Sequence, residues 1–222
     1  MKIFGLKLVV GALFFISYAY NLNAQELYMS DVSGTALRKD SKYAEVEGTP
    51  FLFKDWMNGS VIFASNRVVK SIPLKFNLES GEIYFKSPQS GNEMLFSDAV
   101  RSFTVNGRTF QAGFEPVDGN SKVTFYEVLG SADNKVKLLK KVNKTIMEVT
   151  EYNAPNKKVF KENFGYYLVN DSKMPMKVKK DNSILSQFNE KEAQVKEFIS
   201  KNKLNVKKDE DLAKILDYYN TL

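Results

Sequence analysis

From Leu27 to about Val178 the apolar residues fall in short runs rich in β-branched and aromatic side chains, broken roughly every 8 to 15 residues by Gly, Pro, Asn and Asp. "SVIFAS" follows Asn58-Gly59, "VVKSIPLKFNL" follows Asn66-Arg67, and "GEIYFKS" follows Glu79-Ser80, which predicts three strands with tight connections. In "AVRSFTVNGRTFQAGF" the apolar positions alternate on both sides of Asn106-Gly107. Both central residues of a two-residue turn must accept positive φ, so Arg101 to Phe114 is predicted as a β-hairpin. Further strands are predicted at Val123 to Leu129, Val136 to Val142, Tyr166 to Val169 and Met176 to Val178, each separated from the next by turn-forming residues. No 10-to-15-residue helical crossover lies between these runs, so the strands should form an antiparallel meander.

Near Asp181 the period changes from two to between three and four. Ile184, Leu185 and Phe188 share one face, as do Val195, Phe198 and Ile199, and again Leu212, Ile215, Leu216 and Tyr219. Asn189 before Glu190 and Glu192, and Lys208-Asp209, read as helix starts. Helices this short are unstable alone and must bury their apolar faces on the sheet, on each other or on a partner. The expected fold is α+β: a mainly antiparallel β meander, as a curved sheet or partial barrel, followed by two or three short C-terminal helices.

The first residues carry a different pattern. Lys2 and Lys7 precede an uncharged run from Leu8 to Tyr20, and Asn-Leu-Asn-Ala ends at Ala24, the layout of a secretory signal peptide. As a helix that run spans roughly 20 Å, against the roughly 30 Å of hydrocarbon a membrane anchor must cross. The expected organisation is therefore a signal peptide at 1–24, a β-rich domain at 25–180 and an amphipathic helical tail at 181–222, with no transmembrane segment after cleavage. No cysteine stands at the junction to carry a lipid.

Cleavage lowers the formal charge of +6 by two, and the remaining lysines interleave with no aromatic-studded basic motif, so a nucleic-acid partner is not expected. An exported chain without cysteine cannot be stapled by disulfides, which favours the periplasm or outer-membrane periphery of a Gram-negative bacterium. Histidine is also absent, which removes Ser-His-Asp and Cys-His nucleophiles and histidine-ligated metals. Asp55, Glu79, Glu82 and Asp98 lie in the β region without a readable pairing, and Ser41-Lys42 and Ser172-Lys173 lack a catalytic spacing. "GTPFLF" at 48–53 has no helix behind it to cradle phosphate, and Asp209-Glu210-Asp211 lacks the alternating ligands and turn glycine of a calcium loop. No enzyme activity and no cofactor are expected.

The single tryptophan, Trp56, stands among Phe51, Phe53, Phe63, Phe76, Tyr84, Phe85 and Phe96. Such a cluster either fills a core or forms an exposed platform. Phe51 and Phe53 share a strand face and Phe63 would meet them across a hairpin at Asn58-Gly59, which favours the core and makes Trp56 a core or rim plug. On the platform reading, Phe51, Phe53, Trp56 and Phe85 would bind an apolar ligand, a peptide or a glycan. On the other reading the tail carries function, through Phe198, Leu212, Ile215 and Tyr219, by docking on an envelope or outer-membrane protein.

The stretches "GTPFLFKDWMNGSVIF", Ile72-Pro73-Leu74-Lys75-Phe76-Asn77, "GEIYFK" and "VKEFISKNKLNVKKDEDLAKILDYYNTL" together resemble a loose family of small exported proteins common in Bacteroidota. The resemblance covers most of the mature chain, and its most recognisable piece is Asp217 to Leu222. The family has no assigned activity, so the resemblance implies export and a β-rich body with a Lys-rich helical tail, and transfers no catalytic residue.

Overall fold

The structure, a computed structural model, describes residues 32–36, 41–150 and 155–222. The expected signal peptide lies outside the described residues. The first strands are β1 (Gly34–Ala36), β2 (Val46–Glu47), β3 (Met57–Phe63), β4 (Val68–Phe76), β5 (Ile83–Lys86) and β6 (Glu93–Phe96). They are followed by β7 (Val100–Val105), β8 (Arg108–Gln111), β9 (Tyr126–Leu129), β10 (Lys137–Val149), β11 (Lys157–Val169) and β12 (Met176–Val178). A 3-10 segment, Asn182–Lys191, leads into α1 (Glu192–Asn202) and α2 (Asp209–Tyr219). The fold is thus α+β, as the pattern of the chain predicts.

All twelve strands join one sheet in the order β1-β6-β5-β4-β3-β7-β8-β9-β10-β11-β12, and β2 lies parallel to β11 near its start. The other pairings along that order are antiparallel. The sheet curls on itself: Lys144 of β10 donates its backbone N–H to the Leu78 carbonyl just past β4, at 3.0 Å. The Lys144 ammonium reinforces this seam by donating to the carbonyls of Thr49 and Phe51 at 2.9 and 2.8 Å. Inside the curl, Val61, Phe63, Ile72, Leu74, Phe85, Phe103 and Phe110 are buried together with Val142 of β10. Phe103 stacks on Phe110 at 4.8 Å, and Phe76 closes on both rings edge-on or tilted.

Successive strand residues face opposite sides, and β10 uses both. Leu138 points to the helices, where it is buried with Leu129, Leu168, Ile184, Phe188, Val195, Leu212, Ile215 and Leu216. Leu139 points the other way and is covered by the connection between β8 and β9, with Phe114, Tyr126, Val128, Tyr167 and Val169. The helical tail therefore completes the core of its own sheet.

Three expectations need correction. Asn58-Gly59 is not a turn; both residues lie within β3 and pair with Pro73 and Ile72. Phe63 accordingly does not meet Phe51 and Phe53 across a hairpin there. Asn189 does not cap α1: with φ 48° and ψ −125° it forms the kink between the 3-10 segment and the helix, whose N-cap is Lys191. Asp181 instead caps the 3-10 segment, accepting from the Ser183 N–H at 2.8 Å. Finally, β10 and β11 are 13 residues each, longer than the runs Val136 to Val142 and Tyr166 to Val169 suggested.

Candidate functional site

Alternation along β4 and β5 sends Leu74, Phe76, Ile83 and Phe85 into the curl, leaving Pro73, Lys75, Tyr84 and Lys86 on the outer face. The 50–52 segment runs beside the end of β4, with the Leu52 N–H donating to Phe76 O and the Leu78 N–H donating to Pro50 O. That pairing buries Leu52 against the core and turns Phe51 outward, where it meets Tyr84 edge-on at 5.6 Å. Trp56 follows on the same face. The ammonium groups of Lys75 and Lys86 each lie 5.2 Å from its ring, and Lys75 is also 4.8 Å from Phe51. Among the described residues neither lysine has a carboxylate within ion-pair distance. The result is a strip, Tyr84, Phe51, Lys75, Trp56 and Lys86, in which half-buried rings alternate with ammonium groups.

A polar network fixes one end of this strip. Asn77, 1% exposed, donates to the hydroxyls of Tyr43 and Tyr84 and accepts from the Glu79 and Ser80 N–H groups. Tyr43 donates to Glu79 at 2.6 Å, Lys42 donates to the same carboxylate, and Tyr84 donates to Glu82 at 3.1 Å. Burial, seconded by Glu79, raises the Tyr43 pKa, and burial raises that of Tyr84. For Glu79 burial acts to raise the pKa but is outweighed by the hydrogen bonds from Lys42 and Tyr43, so the carboxyl is held below its ordinary value. Tyr84 is thereby fixed on β5, and Phe51, bridged to Asn77, is held beside it, while Trp56 lies in the segment just before β3.

Of the four aromatic residues singled out from the sequence, the structure brings Phe51 and Trp56 together. Phe85 is 0% exposed and stacks on Phe96 at 4.4 Å, so it is part of the core and cannot touch a ligand on the outer face. Phe53 packs at the margin of the core, with the Arg108 guanidinium 6.0 Å from its ring. Tyr84, Lys75 and Lys86 were missed, although each is next in sequence to an inward-facing residue and period two alone would have placed it outside.

The tail residues divide similarly. Leu212 and Ile215 are 0% exposed beneath α2 and are unavailable to a partner, because an apolar helical stripe reads the same whether it covers its own sheet or another protein. Tyr219 is half-buried against Phe188 at 4.7 Å, and Phe198 stacks on Tyr218 at 4.0 Å.

A second polar cluster lies between β8, β9 and the start of α2, around a cavity of about 530 Å3. Arg108 grips Glu127 through two 2.6 Å bonds, and Asp209 receives Lys140 and Lys180 at 2.6 Å each and the Tyr166 hydroxyl at 3.0 Å. Its strongest charges thus neutralise one another. Among the described residues no group of three Asp or Glu side chains could hold a metal ion. No helix among them is long and apolar enough to cross a membrane. Compared with protein-family models, curated proteins and solved structures, the chain shows no match.

Proposed function

We propose that this chain is an exported, non-catalytic interaction protein of the cell envelope, in the periplasm or at the outer-membrane periphery, and that it binds through the outer strip around Trp56. The carrying observation is the pair of ammonium groups flanking Trp56 at 5.2 Å with no carboxylate partner among the described residues. An ammonium over an aromatic face contributes about 0.5–1 kcal/mol at an exposed site and leaves its outward hydrogens free to donate. Rings that can stack on flat apolar faces, spaced by fixed cations, suit an extended anion, and an acidic glycan supplies both sugar faces and carboxylates. The absence of histidine and cysteine supports a binding role over a catalytic one. The tail supports docking less well, since Leu212, Ile215 and Leu216 are consumed by the sheet.

Because Trp56 is the only tryptophan, its fluorescence reports this site alone. Titration with oligogalacturonate should shift or quench the emission, whereas a neutral β-glucan of equal length should not. The response should weaken with added salt, as expected for exposed charges. Replacing both lysines by alanine should weaken binding at least fivefold. An unchanged emission across both oligomers, with no binding detected calorimetrically, would overturn the proposal.

A further inference from the structure

At the open end of the curl, the segment leading into β9 crosses between two cavities. One, of about 290 Å3, is walled by Phe76, Leu78, Phe125 and Val142, and Lys141 also lines it. The other, of about 390 Å3, is walled by Ile83, Leu95, Phe96 and Val100. Ser80, Gly81, Val123 and Phe125 line both, so the two chambers adjoin along one side of that segment. Val123 is 77% exposed at this mouth, an apolar side chain left in water where the cavities open.

Lys141 is the unusual member. It is half-buried, and its ammonium donates to the side-chain oxygen of Asn120, with no carboxylate in ion-pair range among the described residues. Asn120 is itself only 6% exposed, and its amide nitrogen has no hydrogen-bond partner among the described residues. Glu79 lines the same cavity, but its carboxylate already holds Lys42 and Tyr43. Lys144, on the same strand, offers the contrast: two backbone carbonyls hold its ammonium and tie it to the seam. Lys141 has one neutral acceptor, and the cavity it lines has apolar walls in Phe76, Leu78, Phe125 and Val142 and polar ones in Ser80, Ser121, Thr124 and Asn143.

We propose that this mouth binds a single-chain aliphatic carboxylate, its anionic head on Lys141 and its chain along Phe76, Leu78 and Val142, past Phe125 and into the second chamber. The site is separate from the strip around Trp56. Desolvation lowers the Lys141 pKa, and an anion beside it would restore the charged form. A methylene is comparable in size to a water, whose share of liquid volume is roughly 30 Å3, so the first chamber takes a chain on the order of ten carbons and only a longer chain continues into the second. Apolar walls combined with a small number of polar groups, here Lys141 with Ser121, Thr124 and Asn143, are the usual make-up of a small-molecule site.

Calorimetric titration of the mature protein with sodium decanoate should show saturable one-to-one binding. Lys141→Met should weaken it at least tenfold while Lys141→Arg stays within about threefold, and decanol should bind about as weakly to the wild type as decanoate does to Lys141→Met. Octanoate should bind on the order of tenfold less tightly than decanoate, for two fewer buried methylenes. The lysine-free strip, with Lys75 and Lys86 replaced by alanine, should bind decanoate as the wild type does. Absence of saturable binding below 1 mM, or equal affinity in wild type and Lys141→Met, would overturn the proposal. So would association with anionic phospholipid vesicles in place of monomeric decanoate, because that would make the attraction a property of the charged surface.

Discussion

A methyl group added at Gly59 would sit 2.4 Å from the Thr104 carbonyl oxygen and 2.7 Å from a Leu74 methyl. The oxygen belongs to the paired strand β7 and cannot swing away, so Gly59→Ala should lower the unfolding free energy by roughly 1–3 kcal/mol, measured by urea denaturation. Gly107 is different: its φ is +72° and nothing lies within 4 Å of its missing side chain. Alanine there should cost about 1 kcal/mol through backbone conformation alone. In sequence both sites read Asn-Gly; at Asn106-Gly107 the pair makes the turn between β7 and β8, while at Asn58-Gly59 the glycine is required by the approach of a neighbouring strand. Only the tertiary contact separates the two, which is why the local signal was legible at one and misleading at the other. Tyr126 gives a further test at this scale. It is 1% exposed, and burial, with Tyr167 adding to it, pushes its pKa to about 12; its hydroxyl has no hydrogen-bond partner among the described residues. Below pH 10 this has no effect on stability, since the hydroxyl is neutral folded or unfolded. Between about pH 10 and 12 the unfolded chain ionises first, so stability should fall by roughly 2 kcal/mol across that window. Tyr126→Phe should flatten this fall and, at pH 7, leave stability equal or slightly higher, because no hydrogen bond is lost. Identical alkaline slopes for the two proteins would contradict the assignment.

Among the elements, α2 is anchored by its first residue. Asp209 holds Lys140 of β10, Lys180 from the stretch after β12, and Tyr166 of β11, tying a helix start to the strands beneath it. Burial alone would raise the Asp209 pKa, but the hydrogen bonds from Lys140 and Lys180 outweigh it and hold the carboxyl below its ordinary value. The stabilisation is therefore present above the unfolded carboxyl's pKa of about 4 and is lost as pH falls through the lower folded value. Asp209→Asn should cost roughly 2 kcal/mol at pH 7, less than a fully buried pair because all three charged groups retain some exposure. Denaturation of the two proteins at pH 3 should show a smaller gap than at pH 7. The helix was visible in sequence through Leu212, Ile215 and Leu216, but its anchor was not, since Asp209 reads equally as a favourable charge on the helix dipole. The outer halves of β10 and β11 were hidden for a related reason. Lys144, Glu148, Lys158, Lys161 and Glu162 break the apolar alternation, and this part of the hairpin is held by the unbroken backbone ladder from Asn143↔Asn163 to Val149↔Lys157, with the Lys144 seam on one side and β2 paired to β11 on the other.

For the molecule as a whole, the question is whether the last 42 residues are an appendage or a layer of the fold. Their contacts decide it: Leu212, Ile215 and Leu216 are 0% exposed, and the same cluster contains Leu129, Leu138 and Leu168 from three strands. Removing residues 181–222 would uncover those three leucines on one face of a sheet whose opposite face is already packed against Phe114, Tyr126 and Leu139. At roughly 25 cal/mol per Å2, the apolar area lost is comparable with the whole stability of a typical domain, and the bared patch would favour self-association. Hydrogen bonds would be lost too: the Asn220 side chain both accepts from and donates to the backbone of Val136, at 2.9 Å each, and Asp217 accepts from Ser131 and Asn134. The truncated protein should therefore be insoluble or bind a hydrophobic dye strongly, with cooperative thermal unfolding abolished. A freely docking tail predicts the reverse, a soluble remainder that melts like the full chain and has lost only an association. The single substitution Leu216→Ala sharpens the distinction: with its side chain buried in the shared core it should cost about 2–5 kcal/mol, and a cost near zero would show that the helices do not complete this sheet.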